Sequence, residues 1–299
     1  MQFRFSKYRK VYFIFSGILI IGSIVSLLIF GLKFGIEFTG GSLMEAEFTG
    51  DRPSIEVIQN NLSEFNLGDV TLQPVGQKGM LFRMKTIDGT THEKILSKLQ
   101  SVSPFEEKSF QLIGPAIGKE LRQKTELAVI LALIAITLYI SFAFRKVSRP
   151  VSSWQYGIAS LIGLFHNILI PLGVFSLLGK FYNVEITIPI VAALLTILGY
   201  SVHDTIVIFD RIRENILKRG STSFEETVDW SLNQTLGRSI NTVLTVLIVL
   251  FTIFFFGGLS LKYFSLILII GITCGAYSSI FIASPILVTW LNLKQRKKG

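Results

Sequence analysis

The stretch LGYSVHDTIVIFDRIREN, residues 198–215, decides how the chain is read. It begins as the back half of a long apolar run and ends as a charged helix. Between the two, while the run is still apolar, His203 and Asp204 stand side by side. An ionisable side chain inside a spanning helix is costly unless paired or wetted, so it is a functional suspect by default. Asp204 precedes Arg211 by seven residues, which at about 1.5 Å of rise per residue puts it ~10 Å below the rim where charges resume. That is too deep for a carboxylate to reach water by bending outward. Thr196, Tyr200, His203, Asp204, Val207 and Arg211 recur at intervals of three and four, giving one mostly polar stripe on this helix.

The surrounding composition supports a membrane reading. Half of the 299 residues are hydrophobic, 16% are charged, and the mean hydropathy is +0.56. The apolar content falls into blocks of about 20 residues, the length that spans a bilayer. Six blocks qualify: roughly Val11–Leu32, Glu126–Phe144, Trp154–Leu178, Val184–Phe209, Ile240–Phe256 and Phe264–Trp290. The first follows the basic start FRFSKYRK, is too long for a signal-peptide core, and lacks a small-residue cleavage site in FGLKFGIEF, so it is expected to be a retained anchor. The single cysteine, Cys274, lies inside the last block and excludes an intrachain disulfide or cysteine metal cluster.

Lysine and arginine set the expected orientation. Arg4, Lys7, Arg9 and Lys10 precede the first span, and Arg145, Lys146 and Arg149 follow the second. Arg211, Arg213, Lys218, Arg219 and Arg238 lie between the fourth and fifth, and Lys294, Arg296, Lys297 and Lys298 close the chain. The other two short loops hold only Lys180 and Lys262. Both termini are therefore expected to be cytoplasmic, and the net charge of +9 reads as a topology signal rather than a nucleic-acid site. The cytoplasmic segment 211–238 is expected to form two short amphipathic helices, the second opened by a Ser223–Glu226 capping box. It reads either as an interfacial pair steadying the spans or as a docking site, with Asp210, Arg211 and Arg213 at its rim.

Residues 1–34 thus form a tail and first span, 35–124 an extracytoplasmic domain, and 125–299 spans two to six. The domain has soluble composition and a readable order. SLMEAEF alternates like a strand, and PSIEVIQNNLSEFN carries Ile55, Ile58, Leu62 and Phe65 at helical spacing. DVTLQPV and GMLFRMKT read as strands joined by a turn at 76–79. THEKILSKLQSV gives a helix burying Ile95, Leu99 and Val102, and FEEKSFQLI a last strand. That is β-α-β-β-α-β, the ferredoxin-like order. The expected fold is an α-helical polytopic membrane protein with a small α+β domain. His92, at a helix start, is expected to be solvated.

Enzymatic chemistry finds no motif. GPAIGKE at 114–120 lacks the GxxxxGK[ST] spacing of a phosphate loop, and HExxH, CxxC and GxSxG are absent. No cofactor or metal is expected. The fifth span, in contrast, answers the fourth: Arg238, Asn241, Thr242, Thr245 and Thr252 form a second polar stripe. Antiparallel packing could bring Arg238 close to Asp204. An Asp beside a guanidinium stays ionised, whereas an unpaired one in a dry site prefers to be neutral. A mobile contact would therefore switch the carboxylate's proton affinity, and a fixed one would only join two helices. His166 and Asn167 interrupt the third span ahead of Pro171, as a packed pair or as a relay. Gly271, Gly275, Ser278, Ser279 and Ala283 mark close helix packing in the sixth.

GYSVHDTIVIFDRIREN resembles the signature of the SecF family, the smaller membrane subunits of SecDF protein-export complexes in the resistance–nodulation–division (RND) superfamily. FGIEFTGGSLMEAEF, with Phe38, Thr39, Gly40 and Gly41, is similar to a second family motif. LIGPAIGKEL, with Gly114, Pro115 and Gly118, is similar to a third, and LGRSINTVLTVL looks like the family's start of the fifth span. Gly199 belongs to the first motif. The resemblance implies half of an RND-type bundle working with a SecD partner beside the Sec channel (SecYEG). It implies export driven by the proton motive force, acting on unfolded preprotein at the outer face of a bacterial inner membrane. The family's proton-linked aspartate and arginine fall on Asp204 and Arg238, with His203 and Tyr200 as possible participants. Position 203 is often Asn in the family, and Glu37 stands where Asp is usual. A self-contained homo-oligomeric transporter of small solutes and a scaffold without transport remain the alternatives.

Overall fold

The computed structural model describes residues 3–68, 70–145, 150–218 and 223–296. Asp69, Lys146, Arg149, Arg219, Lys297 and Lys298, used above for strand and orientation, lie outside the described residues. Two compact units form. One comprises residues 1–32, 128–184 and 189–299; the other comprises 33–127 together with 185–188.

In the helical unit, a 3-10 turn at Phe5–Tyr8 leads into α1 (Arg9–Phe30). α2 (Ile36–Thr39), α3 (Ile55–Leu62) and α4 (Gly89–Val102) belong to the other unit. The long helices continue with α5 (Pro115–Ala143), α6 (Ser153–Tyr182), α7 (Ile188–Lys218), α8 (Phe224–Phe256) and α9 (Leu259–Ser278). A five-residue π segment, Ser279–Ala283, then joins α9 to α10 (Ser284–Arg296). Among the described residues, six helices are long and apolar enough to cross a membrane, the sixth running Leu261–Lys294 through the π segment. The chain is a multi-pass membrane protein.

The helices run well past the apolar blocks. The two short helices expected within 211–238 are not separate elements: α7 continues to Lys218 and α8 starts at Phe224. The Ser223 hydroxyl caps α8, accepting from the Glu226 amide at 3.2 Å. A facing row of small polar groups holds the two extensions side by side. Asn215 donates to Ser231 Oγ at 2.8 Å and to Gln234 at 3.0 Å. With this row to satisfy, continuing each span is favoured over breaking it.

Small residues set the helix contacts, as expected where lipid removes the hydrophobic drive between helices. A Cβ on Gly173 of α6 would sit 2.6 Å from Ser23 Cα of α1, and Ser26 Oγ donates to the Gly173 carbonyl at 3.1 Å. A Cβ on Gly275 of α9 would lie 3.2 Å from Ser201 Cβ of α7. At the Arg211 end, Phe144, Tyr156, Phe209, Ile212, Val228 and Leu232 form a buried cluster. α5 and α8 leave most of their surfaces uncovered, including Ile134, Leu138, Phe142, Leu244 and Phe255.

The other unit contains β1 (Gly41–Phe48), α3 (Ile55–Leu62), β2 (Thr71–Val75), β3 (Gly79–Met84), α4 (Gly89–Val102) and β4 (Phe105–Ile113). The strands form one antiparallel sheet in the order β2-β3-β1-β4, with a bulge at Glu45/Ala46 against β4. One sheet face packs on both helices through Met44, Ala46, Phe48, Ile58, Leu62, Phe82, Ile95 and Leu99. Four expectations need correction, the first being Val102, which is only half-buried at the end of α4. Ile55 opens α3 on its outer face and is 39% exposed. α4 starts two residues early because Asp88 caps it, accepting from the Thr91 amide at 2.8 Å. His92 is not simply solvated: its Nε2 is 2.9 Å from Glu107 Oε1, and its ring stacks on Phe110.

Candidate functional site

In α7, His203 and Asp204 part company. Successive helical residues point about 100° apart, so His203 lies exposed on the α7 surface while Asp204 turns inward and is 5% exposed. Among the described residues, Asp204 Oδ2 is buried with no hydrogen-bond partner. Arg238 sits on α8, exposed. No ion pair joins the two, although Arg238 and His203 both lie within electrostatic reach of the carboxylate.

The register between α7 and α8 fixes their relative depth. Ser231 Oγ approaches the Arg211 carbonyl at 3.5 Å, and Tyr200 Oη donates to the Thr242 carbonyl at 3.2 Å. The helices are antiparallel, and equal steps from either contact bring Asp204 opposite Arg238. The sequence-predicted pair is thus level on neighbouring spans but open. Tyr200 pins α8 one turn beyond it.

The polar stripes are less polar than their composition suggests. Thr196, Thr242, Thr245 and Thr252 each donate to a carbonyl three or four residues earlier in their own helix, which satisfies the hydroxyl and leaves a methyl outward. His203, Arg238 and Asn241 remain with no side-chain hydrogen bond among the described residues. At the rim, Arg211 pairs with Glu214 at 2.8 Å and Arg213 with Asp210 at 3.8 Å.

On the adjoining face of α7 lies a network that sequence reasoning missed. Asn167 Nδ2 donates to Ser201 Oγ at 2.6 Å, and His166 Nδ1 lies 3.0 Å from Asn167 Oδ1. Thr205 Oγ1 donates to the Ser201 carbonyl and lies 2.8 Å from Ser279 Oγ in the π segment. Ser284 Oγ reaches the Ser279 carbonyl five residues back. Single π turns recur at functional sites in helices, and this one faces Thr205, next to Asp204. The sequence marks His166, Asn167 and Ser279 singly; what it does not give is their link through Ser201 and Thr205, four residues apart on α7.

The FTGG and GPAIG motif residues meet in the sheet unit. Phe38 is buried, and Thr39 Oγ1 donates to the Gly35 carbonyl at 3.1 Å. Gly40 has φ +76° and Gly41 φ +144°, conformations that favour glycine. A Cβ on Gly40 would lie 2.7 Å from Pro115 Cα, and one on Gly118 would lie 2.8 Å from the Gly40 nitrogen. The FTGG and GPAIG motifs therefore exist as one backbone-to-backbone contact, with Pro115 at the first position of α5. Gly114 and Gly199 have open space where a Cβ would go. Burial pushes the Glu37 carboxyl above its ordinary range, with its own backbone amide and Arg83 acting the other way.

Residues 93–293 match the family model described as protein export membrane protein SecD/SecF, C-terminal, and residues 25–51 match the SecD/SecF GG motif. The chain belongs to the SecD/SecF family. The protein translocase subunit SecF of Thermobaculum terrenum is 42% identical over 96% of this chain and 93% of that protein. The crystal structure of SecDF from Thermus thermophilus, a translocon-associated membrane protein, superposes with a TM-score of 0.87 at 31% identity, covering 98% of this chain. SecDF in its super-membrane-facing form gives 0.72 at 30% identity over all of it. The chain spans about two-fifths of those SecDF chains, 39% and 40%.

Proposed function

We propose that the chain is the SecF-type subunit of a protein-export complex, driven by the proton motive force and promoting the late stage of preprotein translocation. The observation that carries this reading is the buried, unpartnered Asp204 carboxylate level with the open Arg238 on the next span. A carboxylate in a dry site binds a proton readily and releases it when a cation closes on it. Movement of Arg238 toward and away from Asp204 would therefore couple proton passage to displacement of α7 against α8. His203 and Asn241, unbonded on the same surface, are suited to carry a proton or water between Asp204 and a partner.

A SecD partner is proposed to cover that surface. Arg238 and Asn241 stand exposed on a spanning helix, where lipid cannot satisfy them. The match to two-fifths of SecDF chains supports a second membrane half. The unit around the sheet is proposed to be a ferredoxin-like domain outside the cytoplasm, a reading supported by its β-α-β-β-α-β order and by the β2-β3-β1-β4 sheet. Both termini are proposed to face the cytoplasm of a bacterial inner membrane, with the Sec channel and preprotein as further partners.

Asp204→Asn is expected to abolish proton-gradient-driven export while the chain stays inserted and bound to its partner. Arg238→Ala is expected to be nearly as damaging. Wild-type export by the Asp204 variant would rule out the coupling role. Loss of chain abundance alone in the Arg238 variant would make the pair a structural joint.

A further inference from the structure

Glu185 lies in the segment Glu185–Ile188, between α6 and α7, and this segment belongs to the sheet unit rather than the helical one. It lies along the chain that leaves α1. Ile186 N donates to the Lys33 carbonyl at 2.7 Å, and Gly35 N donates to the Ile186 carbonyl at 2.9 Å, a parallel bridge between Phe34 and Ile186. The Glu185 side chain, 6% exposed, accepts from Arg83 Nε of β3 at 2.7 Å and faces Lys33 Nζ at 3.8 Å. Glu37 also acts electrostatically on Arg83 and Glu185, so two carboxylates and two cations share the cluster. α7 begins two residues after Ile186.

A connection of this length normally runs free over a surface. Here two backbone bonds and a buried charge pair hold it. Burying such a pair is costly and a weak source of stability, and its best-attested use is to fix one register. The segment held here runs directly into α7, the helix that carries Asp204.

We propose that Glu185 and Arg83 are positioning residues. They strap the start of α7 to the sheet domain, so that displacement of α7 in the proton cycle is delivered to that domain along the chain rather than lost in a slack loop. The proposal rests on the proton-coupled reading above and adds the route by which it produces work on preprotein.

The test uses the full chain with its SecD-type partner in proteoliposomes and reads proton flux and gradient-driven export separately. Glu185→Ala is expected to keep wild-type flux while export falls about tenfold, within the usual range of coupling between sites. In that background, with Cys274→Ser, the pair Phe34→Cys and Ile186→Cys replaces the strap covalently. Oxidation is expected to restore export, and reduction to remove it again. With Glu185 intact, the same disulfide is expected to leave export unchanged, because the strap is already closed. Wild-type export in Glu185→Ala would overturn the proposal, and so would a formed disulfide that fails to restore export or that blocks the Glu185-intact chain. Asp204→Asn, run in parallel, is expected to lose both readouts. Wild-type export there would instead sink the proton-coupling reading itself.

Discussion

At the scale of single residues, Gly40 is held both by its own backbone and by the backbone packed against it. Gly40 adopts φ +76°, and a Cβ there would lie 2.7 Å from Pro115 Cα, whereas Gly114 has nothing within 4 Å of an added Cβ. Gly40→Ala is therefore expected to destabilise the sheet domain by ~2–4 kcal/mol, from overpacking plus backbone strain. Gly114→Ala should stay within about 0.5 kcal/mol. Thermal unfolding of the two variants side by side checks this, and equal losses would contradict it. Asp204 is the opposite kind of residue: the backbone permits many side chains there, and only the chemistry asks for a carboxylate. Its place inside the apolar run was legible from the seven-residue interval to Arg211. The single stripe drawn through both it and His203 needs correction: adjacent helical positions point about 100° apart, and His203 is exposed where Asp204 is buried.

At the scale of elements, the joint between α6, α7 and the π segment is made of buried polar groups bonded to one another, with His166 Nε2 left unpartnered. Asn167→Ala removes the donor to Ser201 and the partner of His166 Nδ1. It is expected to cost ~1–3 kcal/mol, the usual penalty for leaving buried polar atoms unpaired. Thr245→Ala should cost almost nothing, since that hydroxyl is exposed and spent on its own helix. The melting temperatures of the solubilised chain distinguish the two. This joint was hidden in the sequence because Ser, Thr and Asn in a spanning helix look alike whether they bond to their own backbone or across an interface. The spans and the sheet were visible because their hydrophobic periods, near 3.6 and 2, are set by burial on one face. Element ends were less visible. α7 and α8 overrun their apolar blocks because Asn215, Ser231 and Gln234 link two polar extensions, a pairing that periodicity does not report.

At the scale of the whole molecule, the chain presents a proton-titratable group, an unpaired cation and a domain whose strap is drawn from another part of the chain. The six-span plan and the domain's element order could be read from hydrophobic blocks and basic loops. The incorporation of residues 185–188 into the sheet unit could not, since a five-residue connection carries no pattern and its partners lie about a hundred or more positions away. Arg238 and Asn241 make the same point: the sequence places them on one stripe, but only the packed helices show that both stay exposed. The central claim is that Asp204 takes up and releases a proton in the working cycle. Infrared difference spectroscopy of the reconstituted complex, recorded as a proton gradient is imposed, tests it most directly. The account predicts a protonated-carboxyl stretching band that changes with the gradient in the wild type and is absent in Asp204→Asn. The same band, unchanged in the variant, would contradict it.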